Sequence, residues 1–343
     1  MKFAALYFLV TISSTASYLC GTKSPLPSAT TNSATTPATT PIQTALPATT
    51  QPVTTPAKPE TCKPVVRKEW RNLSEKEQQD FFTAINILKK APSLGNYDSR
   101  YDDFVAIHST QADNIHFVPQ FLPWHRIFLR SLEVEMQKVL NQPEYSLPYW
   151  NKALDWDAPE KAPIWGPTKF GGNGQGENNC VLDGQFANWN SSIWTFYPGM
   201  TNTKKDGCLQ RRFKKRNNIT DTIFEFAPPE EIAALVNSSN QYAEFSTNLE
   251  WHLTHYGAHG GIGGDMGHFA DTVADPIFFL HHNDLDKIWF DWQVNNNISD
   301  YAGFDARGEE NVVANVTLDD IMEPFNISVG AVMNITDLCY QFE

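Results

Sequence analysis

DPIFFLHHNDLDKIWFDWQ, residues 275–293, sets two adjacent imidazoles inside an apolar helical run. Asp275-Pro276 opens the run as a cap should, since an Asx side chain can serve the first free N–H groups and proline suits the first turn. Adjacent residues on a helix point about 100° apart, so His281 and His282 do not comfortably reach the same ion. One of the pair is expected to be a ligand and the other a neighbour. Working outward, Asn248 to His259 reads as a second helix, on which His255 and His259 lie four residues apart and so leave the same face. Further upstream, Pro123 starts a run to Leu140 that carries His125 in its first turn. A fourth run opens with Ser74 and Glu77 in capping-box spacing and continues to Lys90. The region 156–226 is rich in Gly, Asn and Pro and reads as loop, and alternating strand patterns are scarce.

The nine histidines all fall between positions 108 and 282 and form two sets. His108, His116 and His125 make the first; His252, His255, His259, His268, His281 and His282 make the second. A lone buried histidine is usually structural, but two clusters tied to strong helix signals call for another reading. Helix-borne histidines converging on a buried polar centre are how bundles build metal sites. The expected fold is therefore mainly α, a four-helix-bundle core holding a binuclear site, with long loops and few short strands. An all-imidazole shell suits zinc, copper, iron or nickel. A zincin needs glutamate directly after the first histidine of its H-x-x-x-H, and position 256 is tyrosine. Di-iron bundles need carboxylate ligands in Glu-x-x-His pairs, which neither cluster shows. Six histidines without an obligatory carboxylate favour two copper ions.

Two segments carry a closer likeness. PQFLPWHRIFLRSLEVEM (119–136), and GGIGGDM (260–266) with DPIFFLHHNDLDKIW (275–289), resemble the two copper-binding signatures of tyrosinases, catechol oxidases and molluscan-type haemocyanin units. The likeness spans roughly Arg67 to Gln293 and is thinner between the signatures. It implies His108, His116 and His125 as ligands of a first copper, and His255, His259 and His282 as ligands of a second, with His281 as a neighbour. It implies that Asp286 orients a ligand imidazole, that Phe278 packs beside the metal pair, and that Glu250 is a catalytic acid–base residue. Asp275 is expected to be an N-cap and no more. Tyr256 stands where tyrosinases often have an asparagine that, with the glutamate, holds a water for deprotonating monophenols; monophenol hydroxylation loses that support here. Asn114 stands where many members have a cysteine cross-linked to histidine, so no thioether is expected. His252 and His268 have no place in the pattern.

The flanks speak to the compartment. Residues 1–17 read as a signal peptide, its apolar run from Phe3 to Ile12 being too short for a bilayer span. Residues 18–61 are dominated by Thr and Pro over most of their length and read as a disordered, O-glycosylated spacer. Residues 62–343 are expected to be one copper domain. Among five cysteines, the favoured pairings are Cys180–Cys208 and Cys62–Cys339, with Cys20 left over. Sequons begin at Asn72, Asn190, Asn218, Asn237, Asn297, Asn315, Asn326 and Asn334. A net charge of −13 argues against nucleic acid or an anionic membrane as the main partner. The basic stretch Arg211–Arg216 reads as a solvated loop or a processing site. The short tail after His282 predicts an open site with no covering domain. Taken together, the expectation is a secreted, glycosylated copper oxidase that turns phenols or catechols into o-quinones with dioxygen. The alternatives are a haemocyanin-like oxygen binder and a non-catalytic matrix glycoprotein.

Overall fold

The computed structural model describes residues 62–195, 203–214, 216–303 and 315–343; the expected signal peptide, the spacer and Cys20 lie outside them. The chain enters as a short strand, β1 (Val65–Arg67), then forms helices α1 (Glu75–Lys90), α2 (Arg100–Ile115) and α3 (Phe121–Leu140). The expected capping box opens α1: the Ser74 hydroxyl accepts the Glu77 N–H, and the Glu77 carboxylate accepts the Ser74 N–H at 2.7 Å. Helix α3 begins two residues before Pro123, which therefore sits in its first turn, where its missing N–H costs nothing. A hairpin, β2 (Asn190–Thr195) with β3 (Thr203–Cys208), breaks a long region of loops and 3-10 turns. Helices α4 (Pro229–Val236) and α5 (Tyr242–Trp251) follow, then α6 (Ala258–Ile262) and α7 (Ile277–Asn295). The chain closes with the two-residue strands β4 (Ile321–Met322) and β5 (Ile327–Ser328), paired antiparallel, and with β6 (Tyr340–Phe342), which pairs parallel to β1.

Mainly helical with few short strands is what the sequence implied, with one interruption. The expected helix from Asn248 to His259 is broken: His252 is extended (φ −74°, ψ 154°), and Leu253–Gly257 form a π-turn before α6. Helix α3 packs against both α1 and α7, and one continuous apolar core runs from Trp70 to Met333. Both favoured disulfides are closed, Cys62–Cys339 with Cα atoms 5.7 Å apart and Cys180–Cys208 at 5.5 Å. The first of them stands beside the β1–β6 pair and joins the two ends of the described chain.

Buried charges fix how α7 sits. Asp286 of α7 accepts from Arg126 Nε of α3 (2.6 Å), from Arg67 Nη1 of β1 (3.2 Å) and from the Tyr340 hydroxyl of β6 (2.5 Å). Arg67 also grips Glu133 of α3 through two N–H groups at 3.0 Å each. At the other end of α7 the N-cap is Pro276 and not, as expected, Asp275. Asp275 lies one residue upstream, accepts the Ile277 N–H at 3.2 Å and has as its main partner Arg211, which donates to both carboxylate oxygens (2.7 and 2.9 Å). Arg211 is fully buried and Arg216 pairs with Glu160, while Arg212 and Lys214 are exposed, so the described part of the basic stretch is solvated only in part. The GGIGGDM segment also has a reason. Gly263 and Gly264 hold φ of 61° and 58°, and a Cβ there would meet the Arg212 and Gln210 carbonyls at 2.4 and 2.2 Å. Only glycine lets this loop press against the backbone beside Arg211.

Candidate metal centre

Helix α2 carries His108 and ends at His116, α3 carries His125 at the start of its second turn, and these three rings converge with centroids 5.1–5.6 Å apart. The π-turn supplies His255, α6 supplies His259 and α7 supplies His281 and His282. Within each group, one ligand-capable atom per residue lies within 4.8 Å of those of its fellows. The single π-turn matters here, since an inserted residue re-aims the side chains of a helix. It lets the Glu250 carbonyl accept from His255 Nδ1 at 2.6 Å, and it sets the His255 and His259 rings 4.9 Å apart and nearly perpendicular.

The tautomers follow from the backbone. Nδ1 of His108, His116, His125, His255 and His259 lies 2.6–2.9 Å from the carbonyl oxygen of Ala270, Ala112, Phe121, Glu250 and Met266 respectively. A carbonyl only accepts, so each Nδ1 carries the hydrogen and each Nε2 is left with a bare lone pair. Nε2 of His108, His125 and His255 is buried without any hydrogen-bond partner. Such an atom is costly unless something binds it. The His259 and His282 Nε2 atoms are 3.2 Å apart. Two nitrogens each about 2.0 Å from one ion at a near-tetrahedral angle lie about 3.3 Å apart. Burial pushes the His116 and His259 rings down to about 4, and pushes His108, His125, His255 and His282 low as well, so the rings are neutral. Neutral, oriented imidazoles with unpartnered lone pairs are the donor set that copper requires.

The structure brings both members of the HH pair into the second group, rather than turning one of them away. They differ in their neighbours. The His282 ring stacks on His125 (4.4 Å, 11°) and also meets His255 and His259, so it stands between the two groups. The His281 ring packs on His255, His259 and His282, and neither of its nitrogens has a partner. Phe278 lies against both groups, 4.1 Å from His282 and 5.2 Å from His108, as the likeness implied. Asp286 does not do what the likeness implied. Its carboxylate is taken by Arg126, Arg67 and Tyr340, while His282 Nδ1 has no partner.

A pocket of about 130 Å³ opens from the histidines to the surface, lined by Trp251, Tyr256, Met266 and Phe269 among others. Glu250, at the end of α5, is the one carboxyl among its lining residues. It is buried, accepts the Phe117 N–H at 2.7 Å, and burial pushes its carboxyl up to about 8. Tyr256 is exposed at the mouth and His268 beside it, whereas His252 caps the π-turn by accepting the Thr254 N–H. Asn114 is exposed and bonds only to Gln111 among the described contacts. Sequence reasoning missed the carbonyls of Ala270 and Met266, and Thr272, whose hydroxyl lies 3.0 Å from His259 Nδ1. Backbone acceptors leave no mark in a sequence.

The family model for the common central domain of tyrosinase matches residues 98–295. A tyrosinase, ustQ, of Aspergillus flavus is 31% identical over 308 residues, covering 84% of this chain and 82% of its own. A tyrosinase of Streptomyces antibioticus is 31% identical over 285 residues, covering 78% and 95%. Among solved structures, a polyphenol oxidase of Thermothelomyces thermophila superposes with a TM-score of 0.68 at 21% identity, covering 82% of this chain and 89% of that one. A functional unit of octopus hemocyanin gives 0.52 at 15% identity, covering 81% and 68%.

Proposed function

Because this chain belongs to the tyrosinase family, a family of copper oxidoreductases with a binuclear centre, we propose that it oxidises catechols to o-quinones with dioxygen. The observation that carries this reading is the set of imidazoles whose Nδ1–H groups are committed to backbone carbonyls, leaving neutral Nε2 donors, with His116, His255 and His259 of that set lining a pocket that reaches the surface. We assign His108, His116 and His125 to one copper and His255, His259 and His282 to the other, with His281 packed behind them. The bound metal pair supplies dioxygen binding and electron transfer; the protein supplies neutral ligands, access and orientation. Each catechol gives up two electrons and two protons, and dioxygen takes four of each to become two waters, so two catechols are consumed per dioxygen. Phe278 holds His282 and His108 apart from the bulk core, and Glu250, the one carboxyl of the pocket, takes the phenolic proton. Tyr256 at the mouth supports catechol oxidation in preference to monophenol hydroxylation, because a phenol side chain cannot share a water with Glu250 as an amide does.

An open mouth with exposed rings favours an oxidase over an oxygen carrier, which must keep phenols out. We also place the protein in the secretory pathway. Two disulfides suit an oxidising compartment, and Asn72, Asn190, Asn218, Asn237, Asn297, Asn315 and Asn326 are exposed, with Asn334 half-buried. No helix among the described residues is long and apolar enough to cross a membrane. The test is to load the protein with copper, count the ions, and follow oxygen uptake with a monophenol and its matched catechol. Two coppers per chain with quinone formed from the catechol is the expected result; bound oxygen without quinone would overturn it. A mass drop on glycosidase treatment of secreted protein checks the compartment.

A further inference from the structure

The pocket itself is small. At about 130 Å³ it is close to the roughly 150 Å³ cavity that takes up a single benzene ring. A phenol ring therefore fills it, and any substituent opposite the hydroxyl must continue past the mouth. What it meets there is aromatic. Trp251 is 57% exposed, Tyr256 63% and Phe269 45%. Isolated exposed rings are ordinary, but these three line one opening beside the histidines.

The rings are also held in place. Phe117 follows the ligand His116 with φ of 61°, a left-handed conformation that a bulky residue adopts only when its surroundings enforce it. The enforcing contact is its own N–H, donated to the Glu250 carboxylate at 2.7 Å. In this pose the Phe117 ring stacks on Trp251 (4.8 Å, 27°) and runs parallel to Phe269 (6.0 Å, 6°), while Phe269 packs on the His116 ring at 4.7 Å. Trp251 and Phe269 are thus two preset faces flanking the path out. Among the described residues lining the pocket none is Lys or Arg, its one carboxyl, Glu250, is buried below the mouth, and His268 is the exposed imidazole beside Tyr256. A carboxylate leaving the pocket would lose water and meet no guanidinium or ammonium in return.

We propose that Trp251, Phe269 and Tyr256 form an uncharged aromatic platform that selects phenols bearing a neutral aryl or apolar substituent and disfavours those bearing a carboxylate. The proposal rests on the oxidase reading for its catalytic meaning, yet the platform can be measured without turnover. In copper-loaded protein, kcat/KM for 4-phenylcatechol is expected to exceed that for 4-methylcatechol about fivefold, the usual worth of one well-placed ring pair. The methyl ester of 3-(3,4-dihydroxyphenyl)propanoic acid, matched to the free acid in ring electronics, is expected to beat it about tenfold. Trp251→Ala and Phe269→Ala, both at exposed positions, bring the phenyl-to-methyl ratio to near one, with the copper count verifying the centre. Calorimetry with 4-phenylresorcinol and 4-methylresorcinol, meta-diols that two-electron oxidation does not turn into o-quinones, gives a like ratio in binding constants. Ratios that survive both substitutions, or an acid that outcompetes its ester, overturn the platform. Absence of any catechol oxidation by protein holding two coppers overturns the oxidase reading instead, and the resorcinol pair still decides the platform.

Discussion

Replacing Asp286 separates two accounts of one residue. The family likeness implies a carboxylate that orients a ligand imidazole; the structure gives it to two buried guanidiniums and a tyrosine hydroxyl. Asp286→Ala leaves Arg126, which is fully buried, without an acidic partner, although it keeps the Val332 and Met333 carbonyls, Gln293 and the face of Trp289 at 3.6 Å. Arg67 keeps Glu133, so the damage falls mainly on Arg126. Stripping one partner from a buried pair costs about 3–5 kcal/mol. For a domain of this size each kcal/mol moves the melting point by about 2–4 °C, which puts the drop at roughly 6–20 °C. Asp286→Asn keeps the shape and one acceptor oxygen, so its loss should be about half as large. The assay is thermal unfolding of both variants, followed by copper analysis of the folded protein at low temperature. Full loading with a large stability loss is expected. A loss under about 1 kcal/mol, or one copper in place of two at unchanged stability, would refute the reasoning and return Asp286 to the metal centre.

Copper counting also resolves the adjacent histidines: His282→Ala should bind one ion per chain while His281→Ala keeps two, and the reverse result would exchange their roles. Tyr256→Asn should raise the monophenol-to-catechol rate ratio by roughly ten- to a hundredfold, at or below the usual worth of a positioned base; an unchanged ratio would clear Tyr256 of any part in that selectivity. Acid should weaken the fold through Glu133, where burial alone would raise the carboxyl but Arg67 and Arg130 more than offset it and hold it low. A depressed carboxyl stabilises fully above the unfolded value, about 4.3, and loses that stabilisation as pH falls through the folded one. Denaturant midpoints measured downward from pH 5 should therefore fall, and Glu133→Gln, less stable at the start, should fall less steeply.

What could be read in the sequence, and what could not, divides along a physical line. Helices α1, α3 and α7 announced themselves because their signals are local: a capping box at Ser74, a first-turn proline at 123, an apolar run after Asp275-Pro276. Helix α2 carries only a cap, Ser99 three residues before Asp102, without a clean apolar stripe behind it. Its buried face includes Arg100, Asp102, Asp103 and Ser109, so the apolar stripe that marks a helix is filled with charge. Asp103 is neutralised within the helix by Arg100 at i, i+3 (2.9 Å), but Asp102 is neutralised from α1 by Lys89 at 2.6 Å, which no periodicity encodes. The same holds at the centre. Histidine clustering along the chain located both groups, and within the second the four-residue step from His255 to His259 is a local distance. Asp286 stands in that same i, i+4 relation to His282, yet Arg126 and Arg67, 160 and 219 residues away in sequence, take its carboxylate. Local spacing says which groups are near one another, and the strongest distant charge decides which of them bond. The break at His252 shows the converse: a continuous helix would satisfy local propensity, but the centre needs His255 hydrogen-bonded to the Glu250 carbonyl five residues back, and the π-turn delivers it. A chain that departs from its local preference beside a cluster of unpartnered imidazoles is following the demands of the ion they are built to hold.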